Sequence, residues 1–238
     1  MLVALCFLSA ASFSQEVMNP TGPDASYAPC LEGQKGSRFY ESPILTSPDG
    51  LWRARASVEA EADGKRGWCS NTSTLLVQGP DHSDYRPVYV EKPTSDLLGN
   101  SLKLIAWSSQ GHLLAIANLQ FQYGSDVGGF SPLIYDADQN RVIEPELEKL
   151  FAAKFHKKNC AVSFGEVLGF DSRSRLLFEA GDWYGYAPEE GEQPDPQTRC
   201  LGSPGVWALD LRANSLELVR SLEDSTAQPL SGTSLPAH

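Results

Sequence analysis

The sequence has 238 residues, of which 41% are hydrophobic and 21% are charged, so it can form a sizeable folded core and does not have the composition of a disordered chain. Asp and Glu outnumber Lys and Arg by 30 to 19, which gives a net charge of −11. A charge of this sign repels phosphate backbones and anionic lipid, and it therefore excludes nucleic acid as an expected partner.

The N-terminal segment has the pattern of a secretory signal peptide. Residues 1–14 are an apolar run followed by small residues; no Lys or Arg precedes the run, and a buried N-terminal element is the alternative. No later segment approaches the roughly 18 consecutive apolar residues of a membrane span, so we expect none after signal removal. This predicts a secreted or periplasmic protein, with an N-terminal segment at 15–37 and a disordered tail at 221–238.

A tight turn followed by a strand pattern occurs three times. In the first copy the letters SPDG precede strict alternation of apolar and polar residues, which is typical of a half-buried strand. The pattern returns after Ser108 and Asp171, which correspond to Ser47 and give spacings of 61 and 63 residues. The middle copy is apolar on both faces from Leu113 to Ala117, so we expect this strand to be central in its sheet.

Each copy is followed by a second hairpin signal, in which an apolar strand, a turn of Asp, Asn, Gly or Ser and another apolar strand succeed one another. The three segments read STLLVQGPDHSDYRPVYVE, SPLIYDADQNRVIE and GVWALDLRANSLELV. Two hairpins make four antiparallel strands. The sequence therefore predicts an all-β fold of three units, at about 38–92, 100–144 and 160–220.

The combination of SPDG before a strand and a later hairpin of the IYDADQNRVIE or VWALDLRANSLELV kind resembles the blade of TolB-type, WD-repeat-like β-propellers. The second and third copies read SSQG and DSRS in place of SPDG. The resemblance implies a β-propeller-like domain over residues 38–220, made of repeated four-stranded antiparallel sheets. Propellers typically have four to eight blades, so three units leave an incomplete or open assembly as an alternative to a closed ring.

Four cysteines follow the signal peptide, and an even number in an exported chain favours two disulfides, with three pairings available. Their positions within the units predict the bridges Cys30–Cys69 and Cys160–Cys200, with separations of 39 and 40 residues. Each bridge is expected to stabilise the fold by about 4 kcal/mol on chain-entropy grounds. A zinc site is the alternative, although the chain has no C-x2-C pair.

Residues 145–158, PELEKLFAAKFHKK, predict one short amphipathic helix between units two and three. Proline stands in the first turn, acidic residues come early and basic residues late, as the helix dipole favours. We expect the helix to pack on the flank of the sheets; a role on a membrane surface is the alternative.

Local motifs predict no catalytic residue, no metal and no cofactor. DADQN at 136–140 begins like a calcium loop, but Arg141 and Leu147 occupy the positions of the required Gly and bidentate Glu, so we expect a hairpin turn. The chain lacks a nucleophile elbow and both nucleotide-binding glycine fingerprints. Asn71 begins a glycosylation acceptor pattern.

The longest connection within a unit, residues 179–200, combines aromatic and acidic residues in a loop punctuated by Gly and Pro. Aromatic faces stack on sugar rings or bury peptide side chains, and carboxylates bind hydroxyl or basic groups. The predicted ligand-binding residues are Asp182, Trp183, Tyr184 and Tyr186. In the alternative interpretation the aromatic residues cover a sheet edge and the acids only solvate the loop.

Three functions are compatible with these features. The first is an exported, non-catalytic binding or protein-interaction module that uses loops at one end of the sheets for a protein or glycan partner. The second is a secreted carbohydrate-active hydrolase that uses acidic residues of the 179–195 loop. The third is a structural accessory that docks onto a larger assembly through open sheet edges.

Overall fold

The structure of this protein is a computed structural model, which describes residues 36–63, 68–93, 98–122, 128–182 and 199–222. Strands dominate these ranges, and the α-helix that they contain lies between the second and third sheets along the chain. This confirms the predicted all-β class, with repeated antiparallel sheets and one short helix. The predicted signal peptide lies outside the described residues.

The strands form three antiparallel sheets that follow one another in sequence. Sheet 1 contains β1 (Gly36–Glu41), β2 (Leu45–Thr46), β3 (Arg53–Asp63), β4 (Trp68–Gln78) and β5 (Arg86–Glu91). Sheet 2 contains β6 (Leu98–Trp107), β7 (Leu113–Gln122), β8 (Gly128–Asp136) and β9 (Arg141–Ile143). After helix α1 (Leu147–Lys154), sheet 3 contains β10 (Val162–Phe170), β11 (Leu176–Asp182), β12 (Gly205–Asp210) and β13 (Ser215–Ser221).

The turns that precede β3, β7 and β11, here named the initiating turns, share one backbone geometry. The first residue of each turn donates its N–H to the carbonyl at the start of the next strand. This bond joins Ser47 to Trp52, Ser108 to Leu113 and Asp171 to Arg175, with N···O distances of 2.9, 2.7 and 3.0 Å. A later residue of each turn has a positive φ: Gly50 at 74°, Gly111 at 79° and Ser174 at 59°. The three turns are therefore equivalent in structure, and the third is one residue shorter.

The strand before each initiating turn is irregular at the same place. In sheet 1 the irregularity is a break, because Pro43 has no N–H to donate and the Ser42 hydroxyl accepts the N–H of Ala56 at 2.8 Å. In sheets 2 and 3 it is a register shift, between Leu104 and Ala106 and again between Val167 and Gly169. Since β1 and β2 both pair with β3, they act as one interrupted strand, and each sheet then has the predicted four strands.

Sheet 2 lies between the other two sheets, and the burial of β7 reflects this position. Leu114 and Ile116 pack in a core shared with sheet 1, whereas Leu113, Ala115 and Ala117 pack in a core shared with sheet 3. None of the five is more than 9% exposed. Successive residues of a strand face opposite ways, so a strand buried on both sides must be apolar throughout. The predicted central position of this strand is confirmed.

Helix α1 closes the core between sheets 2 and 3, which we name the helix-capped interface. Phe151 is completely buried and packs edge-on against Phe178 and Trp207, with ring centroids 6.4 and 4.9 Å apart. Leu147 and Ala152, on the same side of the helix, are also buried. The predicted helix is present, but its apolar side is part of this core and does not merely lie on the flank of the sheets.

A buried amide pair joins sheets 1 and 2 at what we name the amide-clamped interface. Asn71 of β4 donates its side-chain N–H to the carbonyl of Asn100 in β6, and its Oδ1 accepts the Asn100 N–H at 3.0 Å. The Asn100 side chain in turn donates to the Asn71 carbonyl at 3.0 Å. Since β6 is the edge strand of sheet 2, its outer side has no neighbouring strand in that sheet. The Asn71 side chain bonds the backbone N–H and carbonyl of Asn100 in place of such a strand. Asn71 is 1% exposed, so its glycosylation pattern is buried.

The outer hairpins of sheets 2 and 3 close through equivalent turns. Asp136 Oδ1 accepts the N–H of Gln139 at 3.1 Å, and Asp210 Oδ1 accepts two backbone N–H groups of its own turn at 2.9 Å. Asn140 and Asn214 have positive φ angles of 47° and 48°. The DADQN segment is therefore a hairpin turn, as predicted.

Cys160 and Cys200 form a disulfide with their Cα atoms 5.7 Å apart, across 40 residues of sequence. This is one of the two pairs that the repeat positions predict, and the bridge Cys30–Cys69 lies outside what the structure describes. A search of the described residues finds no helix with the length and apolar character to cross a membrane.

Candidate functional site

The predicted ligand-binding residues begin with the last residue of β11, and the structure describes only that one. Trp183, Tyr184 and Tyr186 lie outside the described residues. Asp182 is the last residue of β11 and is 4% exposed.

The carboxylate of Asp182 binds the backbone near the disulfide. Its Oδ1 accepts the N–H groups of Cys200 and Leu201 at 2.8 and 2.9 Å, and its Oδ2 accepts that of Gly202 at 2.9 Å. A buried carboxylate needs such partners to offset its lost hydration. Asp182 therefore joins the end of β11 to the backbone at residues 200–202, and these three hydrogen bonds serve the fold.

A cleft lies at one end of the amide-clamped interface, where the facing residues of sheet 2 change from apolar to polar. On the face of β7 toward sheet 1, Ile116 is followed by Asn118 and Gln120, because side chains alternate along a strand. On the same face of β8, Leu133 gives way to Ser131. The side chains leave a cavity of about 410 Å³ here.

Three further segments complete the walls of this cleft. Tyr89 and Glu91, two residues apart in β5, come from sheet 1. Residues 144–149, which lead from β9 into the first turn of α1, form a second wall, and Phe164 of β10 contributes from sheet 3. All three sheets and the helix thus meet around one concave surface, whose volume falls within the roughly 300–1,000 Å³ of small-ligand sites.

The hydroxyl of Tyr89 lies between two carboxylates. It is within hydrogen-bond distance of Glu91 Oε2 and lies 2.9 Å from Glu144 Oε1. Burial raises the pKa of the Tyr89 phenol well above its ordinary value, and the hydrogen bonds and negative charges of Glu91 and Glu144 raise this pKa further. The phenol therefore keeps its proton, and it supplies one donor to two acceptors.

Asn118 is a second acceptor in the cleft. Its side chain is 3% exposed, and no group among the described residues donates a hydrogen bond to its Oδ1. Gln120, two residues further on the same face, has its Nε2 3.4 Å from Glu91 Oε1. A buried acceptor with no donor costs free energy, which a ligand N–H can recover when the Asn118 amide turns its oxygen toward the cavity.

The charge of the lining is strongly negative. Among the described lining residues there are four glutamates and one lysine, and that lysine, Lys149, binds Glu146 in an exposed ion pair at the rim. Within the described ranges, no group of three or more metal-ligating side chains comes together. The cleft is therefore rich in hydrogen-bond acceptors and suited to positively charged groups.

Sequence reasoning did not find this site. A signal for it was present in β7, where the inward face is apolar up to Ile116 and then carries Asn118 and Gln120 before the strand ends. Polar residues on a core-facing stripe indicate either a hydrogen-bond network or a lined cavity. Which other segments face them depends on how the sheets stack.

Comparison of the chain with protein-family models and with curated proteins finds no significant match.

Proposed function

We propose that this protein is an exported, non-catalytic binding module built on three divergent TolB-type β-propeller repeats. The observation that carries the proposal is the cleft of about 410 Å³ that all three sheets line. Stacked sheets with buried cores form a rigid frame, and a preformed concave site on such a frame binds a ligand at low entropic cost.

The repeat family is supported by the equivalence of the initiating turns at Ser47, Ser108 and Asp171. The irregularity that precedes each turn supports the same origin, since three unrelated hairpins have no reason to share it. Blade-like stacking of sheet 2 between sheets 1 and 3 is the packing that propeller repeats adopt.

Export is supported by the disulfide between Cys160 and Cys200, because such bridges persist in oxidising compartments and are rare in the cytosol. The apolar run in residues 1–14 supports the same assignment, as a secretory signal peptide.

A protein or glycan is the proposed partner, and the aromatic residues after Asp182 belong to the proposed contact surface. Phe164, which lines the cleft, pairs with Ala180 of β11, so the strand that leads to Trp183 runs beside the cleft wall. We assign Trp183, Tyr184 and Tyr186 to partner contact on this ground.

Blocking the cleft tests the proposal. A panel of synthetic peptides and oligosaccharides is screened by biolayer interferometry against the full chain and against Gln120→Trp, whose indole is placed to fill the cavity. Gln110→Trp, in the initiating turn at the other end of β7, is the matched control. We expect Gln120→Trp to weaken the binding of panel hits by about tenfold or more and Gln110→Trp to leave it unchanged. Binding that Gln120→Trp does not affect, or hydrolysis of a panel oligosaccharide by the full chain, overturns the proposal.

A further inference from the structure

We infer that the cleft between β5, β7 and the 144–149 segment binds an organic cation with several N–H donors, a guanidinium or ammonium group. This inference rests on the proposed function, since it assigns a ligand chemistry to the same cleft. It selects a basic side chain of a protein partner, or a free amine, over a neutral glycan.

Hydrogen-bond donors are too few around Tyr89. A phenol has one proton, yet the Tyr89 hydroxyl lies within hydrogen-bond distance of both Glu91 and Glu144. One of these two contacts therefore has no proton between its oxygens. A positively charged N–H donor placed between the carboxylates supplies the missing hydrogen bond and offsets their mutual repulsion.

Asn118 also lacks a hydrogen-bond donor, independently of the carboxylates. Asn118 Oδ1 is buried and receives no hydrogen bond from the part of the chain that the structure describes, although the residue lines the same cavity. An amide oxygen in this state requires a donor and offers nothing to an anion. Both observations thus indicate a ligand that donates and does not accept.

The described part of the chain provides little positive charge to the cleft. Lys149 is the one basic side chain among the described lining residues, and it binds Glu146 at the exposed rim. Glu91 and Glu144 form none of the ion pairs found among the described residues. Tyr89 and Phe164 also line the cavity, and aromatic rings attract cations.

An organic cation fits this lining better than a metal ion does. Hard divalent cations take six or more oxygen ligands at short range, and the described residues contain no group of three metal-ligating side chains. A guanidinium or ammonium group needs only separated acceptors and an apolar or aromatic surface for its carbon chain, and the cleft provides both.

Isothermal titration calorimetry with matched probes tests the inference on the full chain. N-acetylarginine amide carries the guanidinium on a peptide-like backbone, N-acetylcitrulline amide is its neutral isostere, and spermidine represents free amines. We expect N-acetylarginine amide to bind at least about tenfold more tightly than the citrulline probe, and its affinity to fall with rising salt. Stronger binding of spermidine than of the arginine probe assigns the site to free amines. Equal binding of the arginine and citrulline probes overturns the inference.

Charge-neutral variants locate the site. Glu91→Gln and Glu144→Gln are each expected to weaken binding of N-acetylarginine amide by about tenfold. Glu59→Gln removes an exposed negative charge from β3, which does not line the cleft, and is expected to change affinity by less than about twofold. Equal losses in the three variants mean that the probe responds only to net charge, and they contradict the assigned site.

The two proposals fail in different ways. If Gln120→Trp abolishes binding of a peptide or oligosaccharide while N-acetylarginine amide neither binds nor competes, the binding-module proposal stands and the cation inference is overturned. If N-acetylarginine amide binds with the expected dependence on Glu91 and Glu144, the cation inference is supported even when no macromolecule in the panel binds.

Discussion

The two interfaces of sheet 2 stabilise the stack by different means. At the helix-capped interface, apolar residues of two sheets and of α1 fill the space, and the disulfide between Cys160 and Cys200 lies at its margin. At the amide-clamped interface, a shorter apolar core continues into the hydrogen-bonded pair of Asn71 and Asn100. Apolar packing stabilises the helix-capped interface, whereas specific hydrogen bonds contribute to the amide-clamped interface.

The polar tips of buried aromatic residues show the same contrast. Trp107, at the amide-clamped interface, donates its ring N–H to the carbonyl of Leu45 at 3.2 Å. Trp207, at the helix-capped interface, has a buried ring N–H without an acceptor among the described residues. Polar groups that are satisfied fix one arrangement of the sheets, whereas apolar packing contributes free energy without fixing direction. The binding cleft opens beside the interface whose geometry is fixed by hydrogen bonds.

Removing apolar volume from the helix-capped interface should have the largest effect. Phe151→Ala deletes a fully buried ring that packs against Phe178 and Trp207, and it should lower the free energy of unfolding by about 3–5 kcal/mol. Urea unfolding followed by tryptophan fluorescence measures this. Ala153→Gly, at an exposed position of the same helix, should cost only about 1 kcal/mol and shows what a change of helix propensity alone costs. Equal costs for the two variants contradict the role of the ring in the core.

Breaking the hydrogen-bonded pair of Asn71 and Asn100 should lower the free energy of unfolding by a smaller amount. Asn71→Ala leaves the buried N–H of Asn100 without its acceptor, and we expect a loss of about 2 kcal/mol. Ser73→Ala removes a hydroxyl that donates to the Asn100 carbonyl at 3.1 Å, but this carbonyl keeps the Asn71 side chain as a donor, so the loss should stay below about 1 kcal/mol. Denaturant unfolding ranks the stabilities of the two variants. A larger loss for Ser73→Ala than for Asn71→Ala would falsify the role of the Asn71 side chain at this interface.

The contact between the initiating turns of units one and two should contribute still less to the free energy of unfolding. A Cβ on Gly111 would lie 2.8 Å from Oδ2 of Asp49. The other oxygen of this carboxylate, Oδ1, accepts hydrogen bonds from the Ser47 hydroxyl and the Leu51 N–H. Gly50 has a similar positive φ and nothing within 4 Å of the corresponding position. Gly50→Ala should therefore cost about 1 kcal/mol for φ alone, and Gly111→Ala about 2 kcal/mol.

A double-mutant cycle isolates the contact between the turns. In an Asp49→Ala background, the extra cost of Gly111→Ala over Gly50→Ala should disappear, because the carboxylate that the new methyl group displaces is gone. An extra cost that persists in this background assigns the difference to backbone strain and not to the contact between units one and two.

The contrast between the interfaces also explains what the sequence could and could not predict. The initiating turns and the two-sided burial of β7 depend on residues close in the chain, such as the apolar run from Leu113 to Ala117, and local periodicity reveals them. The cleft depends on Tyr89, Asn118, Glu144 and Phe164, which come from four segments. No local pattern relates these segments, because only the stacking of the sheets brings them together.

The helix illustrates the same limit. Its spacing of apolar residues predicted a helix correctly, but periodicity gives the direction of the apolar side and not the surface that covers it. Phe151 lies in the core because it packs against the rings of Phe178 and Trp207. These two residues belong to strands later in the chain, so the helical spacing could not reveal the contact.

A small effect at neutral pH is expected for the Tyr135 hydroxyl, in the ring cluster that Trp52, Trp107 and Tyr135 form at the amide-clamped interface. Tyr135 is fully buried between Trp52 and Trp107, and its hydroxyl donates to Asn140 Oδ1 at 3.0 Å. Tyr135→Phe removes this hydrogen bond and should cost about 1 kcal/mol at pH 7. The helix-capped cluster offers no equivalent, since the rings around Phe151 carry no hydroxyl.

At alkaline pH, Tyr135→Phe should become more stable than the wild type. Burial, and secondarily the charge of Asp136, raises the pKa of Tyr135 to about 12, whereas in the unfolded chain a tyrosine loses its proton near its ordinary pKa of 10.0. The pKa of Tyr135 is higher in the folded protein than in the unfolded chain. The contribution of Tyr135 to the free energy of unfolding is therefore complete below pH 10 and is lost as the pH rises toward 12. In this window the wild-type free energy of unfolding should fall by about 1.4 kcal/mol per pH unit more than that of Tyr135→Phe. Guanidinium unfolding at a series of alkaline pH values measures both slopes, and parallel slopes would show that Tyr135 ionises as readily in the folded protein as in the unfolded chain.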